Sequence, residues 1–195
     1  MKLLKLLLIG LMVVSCNPRG EDALEEDYSQ LFPFRGIDTP DIYYEDMIAR
    51  NCNPDEALEQ YKYPGVTLPS EREYTVTLKC KYTAIGNDYA TRYAIRYIAE
   101  DKSIKVIGTD AAMANVSDML ENGEQKTISF KVKSGYPLYL SVNGVGARNS
   151  SIYASISAVS TDGYIISPEL FTEQYQNKEG PNRIENPYCK YIILP

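Results

Sequence analysis

The sequence contains no histidine and no tryptophan. Without an imidazole, Ser/His/Asp and Cys/His nucleophilic machinery is excluded, as are zinc and iron sites that need a histidine ligand. Without an indole, a sugar-binding surface would have to rest on tyrosine. Cysteine is scarce, with four in the chain, so a thiolate zinc site would consume Cys16, Cys52, Cys80 and Cys189 together. Basic residues are outnumbered, 20 Lys and Arg against 26 Asp and Glu. Nucleic acid and anionic headgroups are poor partners for such a chain. No loop alternates Asp and Asn toward a closing glutamate, as a calcium loop does. Gly144-Val145-Gly146 lacks the third glycine of a dinucleotide turn and reads as a hairpin loop. No cofactor and no metal are called for.

What is present starts at the N-terminus. Lys2 and Lys5 precede an uncharged apolar stretch over residues 6–14, then Ser15 and Cys16. That is the order of a secretory signal, and the stretch is shorter than the roughly 20 residues of a membrane span. Val13-Val14-Ser15-Cys16 resembles the lipobox of bacterial lipoproteins. The resemblance implies cleavage after residue 15 and acylation of Cys16, as by palmitate. The 180 residues that remain hold 18 basic and 26 acidic side chains, a net charge of about −8. Lipid, rather than a basic surface, would then hold the protein at the membrane.

Residues 16–30 read as a solvated tether, because the run over 17–27 carries five carboxylates and one arginine around Pro18 and Gly20. Asn17, in place of Asp, resembles the sorting context of lipoproteins sent to the outer membrane. The acidic run is similar to surface-export signals, and a plain linker has the same composition, so both the periplasmic face and the cell surface stay open. Residues 31–70 read as an extension of short helices within 38–63. One starts at Pro40 behind Asp38 or Thr39, a second at Asn53-Pro54-Asp55-Glu56, and Pro64-Gly65 closes the region. Tyr43, Tyr44, Tyr61 and Tyr63 in this stretch are the candidates for an exposed aromatic binding patch.

From residue 71 to 195 the period of the apolar pattern becomes two. Strands are predicted over 73–84, 89–99, 103–108, 125–133, 136–143, 151–160, 163–168 and 188–194. Turn residues separate them at Glu100-Asp101-Lys102, Ser134-Gly135, Asn143-Gly144 and Asp162-Gly163. Many short strands of this kind predict a mainly β fold, an antiparallel β-sandwich. Ile128, Phe130, Val132, Leu138, Leu140, Val142, Ile152, Ala154, Ile156 and Ala158 should form its inner faces, with Tyr93 and Tyr97 alongside Ile95. Met113, Val116, Met119 and Leu120 recur at helical spacing, which predicts a short helix within 109–123 over one end. Cys80 shares the inward parity of Tyr74, Val76, Leu78 and Tyr82 and belongs to the core. Cys52 and Cys189 both sit beside Asn-Pro turns; a bridge between them and no bridge at all remain open.

The run from residue 125 to 163, with Ser134-Gly135-Tyr136-Pro137-Leu138-Tyr139-Leu140-Ser141 between two strands and Asp162-Gly163 at its end, resembles the extracytoplasmic domain of accessory proteins of lipid-exporting RND-type permeases. The likeness covers roughly residues 73–168. It implies an immunoglobulin-like sandwich and does not imply transport. The chain departs from that family in its lipid anchor, in residues 38–63 and in the tail after 168.

Carboxylates alone could serve a glycosidase, but Asp162 reads as a turn residue, and Asp110 and Asp118 as helix flanks. The sequence therefore predicts a non-enzymatic module, anchored at the outer membrane by lipid and working through an envelope protein. A surface glycan-binding module and a carboxylate-dependent hydrolase of envelope polymer are the alternatives.

Overall fold

The computed structural model describes residues 49–54, 72–85 and 91–195. Within them the chain is built of strands in two sheets. The larger, seven-stranded sheet has the order β1 (Arg50–Asn51), β11 (Tyr188–Ile193), β7 (Pro137–Gly146), β3 (Arg92–Ile98), β4 (Ile104–Gly108) and β5 (Asp118–Met119), with β10 (Asn182–Arg183) also paired to β7. The smaller is four-stranded, in the order β6 (Gln125–Lys133), β2 (Glu73–Thr83), β8 (Ser150–Ser160) and β9 (Leu170–Gln176). Pairing is antiparallel throughout except for β4 with β5.

The period-two pattern of β2 explains how the layers meet. Tyr74, Val76, Leu78 and Cys80 point inward and are buried, while Thr75, Thr77 and Lys79 alternate with them on the outer side. On the facing sheet, Ile95 pairs with Val142 and Tyr97 with Leu140, so these side chains share one side and meet the β2 row in a single core. Burying each such side chain contributes about 1.5–3 kcal/mol. The two sheets thus form a sandwich-like pair of layers.

The outer sides of the sheets differ. On the seven-stranded sheet, register places Ala94, Ile98, Val106, Tyr139, Ser141 and Cys189 on the side opposite Ile95 and Val142, and they too are buried, Ile98, Tyr139 and Cys189 within the same apolar cluster. On the four-stranded sheet the outward positions of β6 and β9 are exposed and those of β2 exposed or half-buried, while those of β8 are mostly half-buried and Ser155 is buried.

A disulfide joins Cys52 to Cys189, with their Cα atoms 5.0 Å apart. It reinforces a strand of two residues: Arg50 pairs with Tyr191, Asn51 with Lys190, and the Cys52 N–H donates to the Cys189 carbonyl at 3.0 Å. Cys80 is a free, buried cysteine. At the C-terminus the Tyr74 and Ser134 hydroxyls donate to the Pro195 carbonyl, and the Leu194 N–H to that of Tyr136, which fixes the final apolar residues in the fold.

Several expectations are corrected. Residues 109–123 form no helix. Asn115 takes a positive φ of 62°, Asp110 accepts the Ala112 N–H, and the Ser117 hydroxyl is spent on Val106, so local side-chain bonds replace the helical ladder. The helical spacing of Met113 and Val116 instead reflects a loop folded over Gly108, where an added Cβ would lie 2.6 Å from Val116. Arg50–Asn51, inside the segment expected to be helical, is strand; the rest of 38–63, Pro54 and its neighbours apart, lies outside the described residues. Asn143-Gly144 is no turn, because β7 runs on to Gly146. Its glycines answer to close packing: a Cβ at Gly144 would meet the Arg92 carbonyl oxygen at 2.3 Å, and one at Gly146 the Tyr93 hydroxyl at 2.0 Å. Residues 163–168 make one bridge, Ile166 to Val159, rather than a strand. There the Ile165 N–H donates to the Ser160 hydroxyl, and the Ser167 hydroxyl accepts from Ala158, where a ladder would use carbonyls. The strand beside β8 is β9, which sequence patterning did not mark.

Candidate functional site

β9 is built inside out. Leu170, Thr172 and Gln176 face inward and are buried, whereas Phe171 and Tyr175 face outward at 47% and 67% exposure. The inward polar groups have work to do. Gln174 donates to the Thr172 hydroxyl and the Asn186 carbonyl, and Gln176 donates to the Asn182 carbonyl while accepting the Lys178 N–H. These bonds hold the segment that crosses from β9 to β11. The Tyr188 hydroxyl of β11 also accepts the outward N–H of Phe171 at 3.1 Å. On the other face the Tyr175 hydroxyl donates to the Glu173 carboxylate, and Phe171 has no such polar role.

Those aromatics have apolar neighbours. Phe171 packs edge-on against Tyr153 of β8, ring centres 5.6 Å apart. Farther along the same side, Val159 and Ile166 pair across their bridge, exposed at 40% and 54%. The outer face of the four-stranded sheet therefore has an apolar ridge along its β8–β9 side, interrupted by Ser155 and Ser157 of β8 and by Glu173 of β9. Its β2–β6 side is cationic and hydroxyl-rich. Lys79 sits between Thr127 and Ser155, and Lys81 between Gln125 and Tyr153. Lys131 pairs with Glu73 across the strands at 2.6 Å. The face is about 30 Å by 15 Å in backbone dimensions, of the same order as the roughly 800 Å² each partner commits to a standard protein interface.

Elsewhere among the described residues, the four carboxyls whose pKa is displaced are all displaced downward. Ser103 hydrogen bonds and Lys105 hold Asp101 at about 2. The Ala112 N–H and Arg92 lower Asp110, and the Lys178 ammonium lowers Glu185. At Asp162 burial works upward, but Ser160, the Tyr164 N–H and Arg72 outweigh it. Asp162 is thus the turn residue expected, while Asp110, in a loop, is the counter-ion of Arg92 and Asp118, in β5, that of Lys126, and neither flanks a helix. A cavity of about 260 Å³ lies between β9 and the crossing segment, lined by Tyr93, Gln174, Gln176, Lys178, Ile184 and Glu185. Its amides are engaged in the bonds given above, and Lys178 pairs with Glu185.

Of the residues singled out from sequence, Cys16, Tyr43, Tyr44, Tyr61 and Tyr63 lie outside the described residues. Tyr93 and Tyr97 are core, and Tyr93 shares a 2.7 Å hydrogen bond with Ser150. The residues that sequence reasoning missed are Phe171 and Tyr175; the alternation of Leu170-Phe171-Thr172-Glu173-Gln174-Tyr175-Gln176 was the available signal. Among the described residues no three metal-capable side chains cluster, and no helix is long and apolar enough to cross a membrane. No family model, curated protein or solved structure matches the chain.

Proposed function

We propose that this chain is a lipid-anchored, non-enzymatic envelope protein whose immunoglobulin-like sandwich binds a protein partner through the outer face of its four-stranded sheet. The inside-out strand β9 carries the proposal. Exposing Phe171 and Tyr175 while burying Thr172 and Gln176 reverses the usual assignment, and exposed apolar side chains gathered on one face mark interaction surfaces. The aliphatic pair Val159 and Ile166 on the same face favours protein over sugar, which stacks on aromatic rings. The lowered carboxyls suit counter-ions, since a general acid needs a raised pKa.

Anchoring rests on the lipobox-like Val13-Val14-Ser15-Cys16, with Asn17 favouring the outer membrane. Cys16→Ser should move the protein from the membrane fraction to the soluble one, and full retention would contradict the anchor. For the binding face, a photoreactive amino acid is placed at Ser157 or Tyr175 in cells, with Glu100 as a distant control. Discrete protein adducts from 157 and 175 but not from 100 are expected. Adducts to glycan alone, or none from the face, would refute the assignment.

A further inference from the structure

We infer that the partner presents an acidic surface, with carboxylates meeting Lys79 and Lys81 beside an apolar patch that meets the β8–β9 ridge. The inference rests on the protein-binding reading above and specifies its partner.

The distribution of charge motivates it. The chain as a whole is acidic, at a net −6. Yet the outward positions of the four-stranded sheet carry Lys79, Lys81, Lys131 and Lys133 against two carboxylates, Glu73, which Lys131 engages, and Glu173 of β9, which accepts the Tyr175 hydroxyl. Lysines on an edge strand have a general explanation, since they discourage edge-to-edge pairing. That accounts for Lys131 and Lys133 on β6. It does not account for Lys79 and Lys81, because β2 is an inner strand flanked by β6 and β8.

Neither lysine has an ion pair, although the described surface is rich in them elsewhere. Their cross-strand neighbours are Thr127, Ser155, Gln125 and Tyr153, which can share hydrogen bonds but bring no opposite charge. Two like charges two residues apart on one face repel mildly, and a carboxylate-bearing surface relieves both. Tyr153 joins the halves of the site: it lies beside Lys81 across β2 and against Phe171 across β9. A partner that covers Phe171 therefore brings its neighbouring side chains within reach of Lys81. Such charge complementarity mainly raises the association rate and sets specificity, and weakens with salt.

The test uses the full-length chain in cells with the photoreactive group at position 175. Lys79→Glu and Lys81→Glu are combined, with Lys79→Gln and Lys81→Gln as a milder pair and Lys102→Glu as control, and thermal unfolding confirms that each variant folds. The expected result is a drop in adduct yield of at least ten-fold for the charge reversal, a smaller drop for the glutamines and no change for the control. The cross-linked partner peptide should carry more Asp and Glu than Lys and Arg. Undiminished yield after charge reversal, a basic partner peptide, or adducts to lipid or glycan would overturn the inference. Absence of adducts from the parent chain would instead overturn the interaction reading on which it rests.

Discussion

The two sheets share a core but differ on their outer sides. In the four-stranded sheet, β2 alternates buried with outward-facing positions, and its neighbour β9 exposes aromatic rings. In the seven-stranded sheet, the central strands β3 and β7 are buried on both sides, down to Tyr139 and Ser141 on the side opposite Ile95 and Val142. A strand buried on both sides has no free surface to offer a partner, whereas a sheet with one open side does. The difference fits the proposed division, in which one sheet's outer side serves stability and the other's recognition.

The largest expected effect tests what holds the sealed sheet together. Breaking the Cys52–Cys189 bond, which links residues 137 apart, frees a very long loop in the unfolded chain and should cost on the order of 5 kcal/mol. Chemical denaturation of Cys52→Ala against the parent measures it. A loss under about 1 kcal/mol would mean that β1 contributes little to the sheet.

Next in size is a direct contrast of the two outer sides. Ile98→Ala should cost about 2–5 kcal/mol, as for any large-to-small change at a buried site. Thr77→Ala, on the open side, should stay within about 0.5 kcal/mol. Equal costs in unfolding experiments would erase the distinction.

Alkaline titration probes the shared core. Burial pushes the Cys80 thiol up to about 12 from 9.0, with Lys126 opposing and Asp118 adding. The thiol of the unfolded chain ionises first as pH rises, so the stability Cys80 lends is whole below pH 9 and is lost between about 9 and 12. Buried Tyr74 and Tyr93 are raised too, first by desolvation, and act in the same direction above pH 10. In Cys80→Ala the decline with pH should begin nearer 10, where the tyrosines take over. A parent whose stability is flat from pH 9 to 11 would show that the thiol is not sealed in.

How far the sequence could be read followed the chemistry of each strand's inner side. β2 and β8 were legible because their inward residues are apolar and their outward ones polar, and Cys80 was placed correctly by parity alone. β9 escaped because Thr172 and Gln176 are buried for their hydrogen bonds while Phe171 and Tyr175 are not, which inverts the pattern that periodicity detects. The helix predicted over 109–123 failed because Met113 and Val116 obtained their spacing from folding over Gly108. For the site, the tyrosine excess drew attention to Tyr43, Tyr44, Tyr61 and Tyr63, whereas the exposed aromatics of the described face are Phe171 and Tyr175. Parity alone puts Lys79 and Lys81 on the solvent side, and only the strand order places them on an inner strand.

The most direct test is the reactivity of Lys79 and Lys81 toward a small amine-acylating reagent, compared between intact cells and the purified full-length protein by mass spectrometry. If the open face is occupied by a partner, both lysines should react at least ten-fold more slowly in cells, while Lys102 reacts equally in the two settings. Equal reactivity of Lys79 and Lys81 in cells and in isolation would contradict the account.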